Sequence, residues 1–140
     1  MQGSTLRLQN ASSWTMFIFG ALAVLLGLIG LIRPEWTLGL LNFEVLDRAA
    51  RAPGDYSLTF LTASSMASFN MGVYYVLASL SNWKRFYGWT VPFRIVTFVV
   101  FVLAVANGIA PTGFIGVAAW ELIGALATGA ALLRERGREG

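Results

Sequence analysis

Four long segments of the chain are almost free of charge, and this pattern constrains the fold more than any other feature. A hydrocarbon core about 30 Å thick takes roughly 20 apolar residues as a helix, and a backbone in lipid must pair its own polar groups. Two of the segments carry no charge, and the other two carry one each, Arg94 and Glu121. The pattern predicts an all-α membrane protein with four transmembrane helices in a bundle, forming a single integral membrane domain. The predicted spans are residues 13–32, 57–80, 90–108 and 113–133.

Composition supports this class and narrows the chemistry. Only 12% of the 140 residues are charged, against about 25% in an ordinary soluble domain. There is no cysteine and no histidine, which removes thiolate ligands, the commonest metal ligand and the commonest general base. We therefore expect no metal and no cofactor. The modest net charge of +3 suits an anionic lipid bilayer as partner better than nucleic acid.

The loop between the first two segments is long and has helical spacing of charges. Glu44 precedes Arg48 by four residues and Asp47 precedes Arg51 by four, the orientation that stabilises a helix. Apolar residues share the other face of residues 42–52. The loop is predicted to contain a short interfacial helix that lies on the bilayer.

The distribution of Lys and Arg predicts the orientation, because basic residues are enriched in cytoplasmic loops. With four spans, six basic residues share the side of the two termini, and three lie opposite. Both termini are therefore predicted to be cytosolic. The first set is Arg7, Lys84, Arg85, Arg134, Arg136 and Arg138, and the second is Arg33, Arg48 and Arg51.

Small residues form two candidate helix-packing faces. Helices in lipid associate by close backbone contact, which small residues permit. One face lies on the first span and one on the fourth, and both are interpreted as packing devices. The members are Gly20, Ala23, Gly27 and Gly30, and then Gly124, Ala125 and Thr128.

Glu121 is the most informative residue of the sequence. It lies about 12 residues, or roughly 18 Å, from the cytosolic end of its helix, and it shares a face with the small residues of the fourth span. An acid at that depth usually faces the bundle interior and marks a functional site. Burial favours the neutral form of a carboxyl group, so Glu121 is a candidate catalytic acid or base. The alternative is a neutral Glu that only holds the helices together.

Arg94 is predicted not to pair with Glu121. Counted from Thr90 it is only roughly 6 Å inside the membrane, and the two side chains lean in opposite directions. We expect Arg94 to extend to the interface, or to bind an anionic head group or a substrate phosphate.

The second span offers partners at the depth of Glu121. Ser64, Ser68 and Tyr75 lie on one stripe of this helix, and Asn70 and Tyr74 on another. The two tyrosines are candidate catalytic residues beside Glu121. Asn70, Ser68, Ser64 and Arg94 are candidate ligand-binding residues. The sequence does not decide between the stripes.

Residues 120–133 (WELIGALATGAALL) resemble the glutamate-then-glycine helix of DoxX-like small membrane proteins. Those proteins have four spans and a long first extracytoplasmic loop. The resemblance covers about a tenth of the chain and implies the same architecture.

A second stretch, residues 47–52 (DRAARA), resembles the basic motif that opens the second helix in the membrane-associated eicosanoid and glutathione metabolism family. That family also has four spans. The resemblance implies that Arg51 would bind an anionic ligand of the glutathione type, in a glutathione-type transferase.

These observations lead to two main interpretations of function. The first is an enzyme or binding protein for a lipophilic small molecule held near Glu121, with cofactor-free isomerisation or cyclisation as a fitting reaction. The second is a non-catalytic membrane subunit or scaffold whose polar interior serves assembly. Either is compatible with a homo-oligomer.

Overall fold

The protein is described by a computed structural model that covers residues 6–139. Within that range the chain forms five α-helices and two single turns of 3-10 helix, with no β-strand, which confirms the all-α prediction. Three of the helical segments, Ala11–Ile32, Lys84–Ala106 and Thr112–Arg138, are long and apolar enough to cross a membrane. The α-helices are α1 (Ala11–Ile32), α2 (Pro34–Leu40), α3 (Ser57–Leu80), α4 (Lys84–Ala106) and α5 (Ile115–Glu139).

Helix α3 differs from the other long helices in composition. It has 24 residues and no charge, but its hydroxyl residues and Asn70 keep it outside the set that qualifies on hydropathy. Several of these hydroxyls donate within the helix: Thr62 to the Leu58 carbonyl at 2.8 Å and Ser79 to the Val76 carbonyl at 2.7 Å. Such bonds remove part of the cost of placing a hydroxyl in an apolar environment.

Helices α1 and α3 pack against each other in antiparallel directions along most of their length. A Cβ atom on Gly27 would come within 2.7 Å of the Phe69 backbone nitrogen, and one on Gly72 within 2.6 Å of the Gly20 carbonyl oxygen. Real Cβ atoms do not approach so closely, so glycine is required at these contacts. The predicted packing face of the first span is therefore confirmed at Gly20, Gly27 and Gly30, which are all buried against α3.

Helices α4 and α5 complete the arrangement on the other side of α1. α1 and α4 run in the same direction, since Ser13 lies beside Tyr87 and Met16 beside Thr90. α5 runs opposite to both. The termini of the four long helices thus lie at two opposite ends of the arrangement. We call the end where α1 and α4 begin and α3 and α5 finish the Asn82 end, and the opposite one the Asp55 end.

The first loop differs from its predicted form. The short helix lies at Pro34–Leu40, not at residues 42–52. Proline is favoured in a first helical turn, and Asn42 takes a left-handed conformation with φ of 58° that ends the helix. The rest of the loop is irregular apart from one turn at Arg48–Ala50.

The predicted ion pairs of this loop are also wrong. Arg48 binds Glu35 rather than Glu44, and Arg51 binds Asp55 at 2.9 Å rather than Asp47. Pairs four residues apart along residues 42–52 would need a helical backbone there, and this segment is not an α-helix. Arg48 instead pairs with an acid thirteen residues earlier, and Arg51 with one four residues later in the irregular segment before α3.

Candidate functional site

Arg94 and Glu121 form an ion pair between α4 and α5. Arg94 Nε donates to Glu121 Oε2 at 2.9 Å. Arg94 is 5% exposed, and the Glu121 side chain is 24% exposed. The prediction that these residues do not pair is wrong. α4 and α5 both continue beyond their predicted spans, to Lys84 and to Glu139, and they pack with Val91 against Gly129. In this register Arg94 lies about five residues, or roughly 7.5 Å, from the level of Glu121, and its long side chain closes the gap.

A glycine and an aromatic ring hold the guanidinium group of Arg94. The group lies against Gly124, where any added Cβ atom would overlap its nitrogens. Its other face covers the Phe19 ring, with Arg94 Cζ 4.1 Å from the ring centroid, a cation–π contact that is strongest away from water. Phe19 also contacts Trp120, with centroids 4.3 Å apart. Gly124 of the predicted packing face thus accommodates a charged side chain rather than a helix backbone.

One donor of this site has no acceptor. Arg94 Nη1 is buried and has no hydrogen-bond partner among residues 6–139. A buried donor left unsatisfied costs about 1–3 kcal/mol, so such groups are expected to have a reason. An oxygen atom of a bound molecule could accept a hydrogen bond from Arg94 Nη1. That molecule and Glu121 would then both be bonded to the Arg94 guanidinium group.

Of the candidate partners on α3, Tyr75 is within electrostatic range of both Arg94 and Glu121. Its ring meets Phe86 edge-on. Tyr74, the next residue, is 55% exposed. The structure therefore brings Tyr75, but not Tyr74, into the surroundings of Glu121.

The other candidates on α3 do not join the ion pair in the described contacts. The Ser68 hydroxyl donates to the Ala23 carbonyl of α1 at 3.0 Å. The Ser64 hydroxyl donates to the Leu61 carbonyl of its own helix. Asn70 is half-buried, and no described hydrogen bond links it to Glu121.

A polar network at the Asn82 end was not foreseen from the sequence. Asn10 caps α1 by accepting from the Ser13 backbone and also donates to Asn82 at 2.8 Å. Glu135 of α5 accepts from both the backbone and the hydroxyl of Ser12, and lies 3.5 Å from the Lys84 ammonium. The sequence signal that could have identified the cap is Asn three residues before Ser at the start of an apolar run.

The Asp55 end contains a cavity of about 550 Å³ between the first loop, α1 and α3. Two of its lining residues, Arg48 and Arg51, form ion pairs with Glu35 and Asp55. The hydrogen bond from Arg48 lowers the pKa of Glu35 to about 2. The hydrogen bonds from Ser57, and then the one from Arg51, lower the pKa of Asp55. A second cavity, of about 390 Å³, lies between α1 and α3 and is lined by apolar residues such as Phe17, Val24 and Val76.

No group of three or more Asp, Glu, His or Cys residues within residues 6–139 could hold a metal ion. No protein-family model, curated protein or solved structure matches the chain. Three of its helices are long and apolar enough to cross a membrane, which is consistent with an integral membrane protein. Any more specific function must be argued from the site itself.

Proposed function

We propose that the protein is a four-span membrane protein that binds a lipophilic small molecule at the Arg94–Glu121 pair and isomerises or cyclises it without a cofactor. The observation that carries the proposal is the unsatisfied Arg94 Nη1 beside a partly accessible carboxylate. The aromatic residues Phe19, Trp120 and Tyr75 suit an apolar ligand that presents one oxygen to the guanidinium group.

The course of the chain supports α3 as the fourth span. α1 and α4 both begin at the Asn82 end and both are apolar enough to cross a membrane. If α1 and α4 both cross the membrane in the same direction, a segment between them must cross it in the opposite direction. The segment that returns is α3, whose 24 residues are long enough.

The distribution of basic residues between the two ends of the bundle supports cytosolic termini. Lys84, Arg85 and the arginines of the C-terminal turns lie at the Asn82 end. At the Asp55 end, Arg48 and Arg51 are each paired with an acid. Reporter fusions after Gly140 and near Pro53 test this orientation, with the first expected to be cytosolic and the second external. The reverse result would overturn the orientation.

The residues suggest how a proton could be moved. Arg94 would donate to a carbonyl oxygen of the ligand and stabilise the negative charge that develops there. The Glu121 carboxylate would take a proton from the carbon next to that carbonyl and return it to another carbon of the same molecule. No atom is gained or lost, so the step is an isomerisation that needs no co-reactant.

Binding is tested by identifying what the protein retains. Wild type, Arg94→Gln and the control Arg85→Gln would be incubated with a lipid extract of the expression host, purified and compared by native mass spectrometry. Arg85 is exposed and lies over Trp89, far from the pair. We expect a lipophilic oxygen-containing molecule on wild type and Arg85→Gln that is lost from Arg94→Gln. Equal retention by all three would overturn the proposal.

Proton transfer is tested by transferring the loaded protein to D2O. Deuterium should enter a carbon-bound position of the ligand on wild type. Glu121→Gln, which keeps shape and can still donate a hydrogen bond, should retain the ligand without exchange. Exchange at the wild-type rate would exclude Glu121 as acid or base.

The scaffold interpretation is favoured by a different observation, the fully bonded Asn82 end, where Asn10, Ser12 and Glu135 join three helices. The scaffold interpretation predicts that variants of Arg94 and Glu121 change the stability of the protein and have no effect on ligand binding. Retention of a ligand dependent on Arg94 decides between the two functions.

A further inference from the structure

The cavity at the Asp55 end has a basic wall and an apolar wall. Arg48 and Arg51 line it together with Asp55, and Leu31 and Leu58 are among its apolar lining residues. Its volume of about 550 Å³ is within the range of small-molecule sites, roughly 300–1,000 Å³. A cavity with these two walls fits an amphiphile better than a wholly polar or wholly apolar molecule.

The two arginines of this cavity have more N–H donors than their ion pairs with Glu35 and Asp55 use. A guanidinium group carries five N–H donors. Asp55 accepts one from Arg51, and Glu35 accepts one from Arg48. The Arg51 side chain is only 10% exposed, and its Nε is buried without a hydrogen-bond partner in the part of the chain that the structure describes. The acids thus fix the two arginines in place and leave donors for an anion.

The position of the cavity indicates where such an anion would come from. The cavity lies where α1 finishes at Ile32 and α3 begins at Ser57. In a membrane-spanning bundle these helix ends lie at the level of the lipid head groups. Leu31 and Leu58 then lie toward the acyl chains, while Arg48 and Arg51 lie toward the aqueous side.

We propose that this cavity is a binding site for an anionic glycerophospholipid, with the phosphate bound by Arg51 and Arg48 and an acyl chain packed along Leu31 and Leu58. Arginine suits phosphate because its planar fork can donate two parallel hydrogen bonds. The site is separate from the Arg94–Glu121 pair and rests on the proposed function only in that the Asp55 end lies at a membrane surface.

The test compares two lipids that differ in head-group charge. Delipidated protein in detergent would be titrated with dioleoyl phosphatidylglycerol or dioleoyl phosphatidylcholine, and bound lipid counted by native mass spectrometry. Both lipids carry a phosphate, but the choline ammonium of phosphatidylcholine cancels its charge and would be repelled by the two arginines. We therefore expect wild type to prefer phosphatidylglycerol by about tenfold. Arg51→Gln should lose the preference. The matched control Arg33→Gln removes a charge at the same end, from a residue that stacks on Trp36 and does not line the cavity, and should keep it.

A second variant protects the test against a folding defect. Leu58→Trp fills the apolar wall without altering any charge, and should reduce binding of phosphatidylglycerol although circular dichroism shows an intact helical fold. Equal binding of the two lipids by wild type would overturn the proposal. An equal loss in Arg33→Gln would also overturn it, because it would indicate attraction to surface charge rather than a site.

Inorganic phosphate distinguishes a lipid site from a soluble-anion site. Millimolar phosphate should displace little phosphatidylglycerol, because the free ion lacks the acyl contacts with Leu58. If phosphate binds through Arg51 while the two lipids bind equally, the cavity holds a soluble anion and the lipid proposal fails. These outcomes do not depend on Arg94, so they are independent of the isomerisation proposal.

Discussion

Removing the charge of Glu121 should destabilise the protein more than removing both members of its ion pair. Glu121→Gln leaves the buried Arg94 guanidinium without its anion, and an arginine cannot neutralise itself by losing a proton. Breaking a buried pair in this way costs about 3–5 kcal/mol. Since a quarter of the Glu121 side chain is exposed, water offsets part of the cost, and we expect about 2–3 kcal/mol.

The opposite single variant should be milder. Arg94→Gln leaves a carboxyl group that can take up a proton, so we expect a cost of about 1–2 kcal/mol from the lost hydrogen bond and from the lost contact with Phe19. The double variant contains no buried charge at this position. Replacing a whole buried pair is often close to neutral, so the double variant should be more stable than Glu121→Gln alone.

The assay is reversible unfolding in mixed micelles followed by circular dichroism, analysed as a double-mutant cycle. The costs of the two single variants should sum to about 3 kcal/mol or more above the cost of the double variant, at the upper end of the coupling between residues in contact. As a control, Glu121→Gln combined with Asn10→Ala at the Asn82 end should be additive. Additive costs for Glu121 and Arg94 would refute the ion pair, and so would a double variant less stable than either single one.

Three further predictions concern other parts of the molecule. Gly27→Ala should cost about 1–3 kcal/mol because its methyl group would press on the α3 backbone, whereas Gly116→Ala, with open space around it, should be neutral or stabilising; unfolding of both variants checks this. Asn10→Ala should cost about 1 kcal/mol through loss of the α1 cap, and a thermal shift no larger than that of an exposed-site variant would contradict the cap. Glu35 has its pKa lowered from 4.5 to about 2 by Arg48, so its contribution to stability is present above pH 4.5 and lost as the pH falls toward 2. Glu35→Gln should therefore flatten the pH dependence of unfolding in that range, and an unchanged pH profile would contradict the pairing.

The sequence predicted those features that depend on local pattern over many residues. The all-helical fold follows from long uncharged runs, and the bounds of α3 agree with residues 57–80. Gly20 and Gly27 were identified as packing residues because helix association in lipid needs small side chains at regular spacing. Such signals repeat along a helix, so an error of one or two residues at its ends does not change them.

The first loop could not be predicted in the same way. The spacing of Glu44 and Arg48 was evidence for a helix only on the assumption that the helix exists. Glu35 competes for the same arginine from thirteen residues away, and sequence spacing carries no information on such a contact. The contacts between Asn10 and Asn82 and between Ser12 and Glu135 have the same character, because they join residues 72 and 123 positions apart.

The Arg94–Glu121 pair shows that the levels of two residues cannot be compared by counting from the ends of predicted spans. The depth of Arg94 was counted from Thr90 and that of Glu121 from Leu133, whereas α4 begins at Lys84 and α5 continues to Glu139. The contact depends instead on the register of the two helices, in which Val91 lies against Gly129. Arg94 is then about five residues, or roughly 7.5 Å, from the level of Glu121, a distance that an extended arginine side chain spans. With this pairing Glu121 is not an isolated acid in its helix. Its carboxyl group lies against the Arg94 guanidinium, so an oxygen atom of a ligand that binds Arg94 would compete with Glu121 for the same donors.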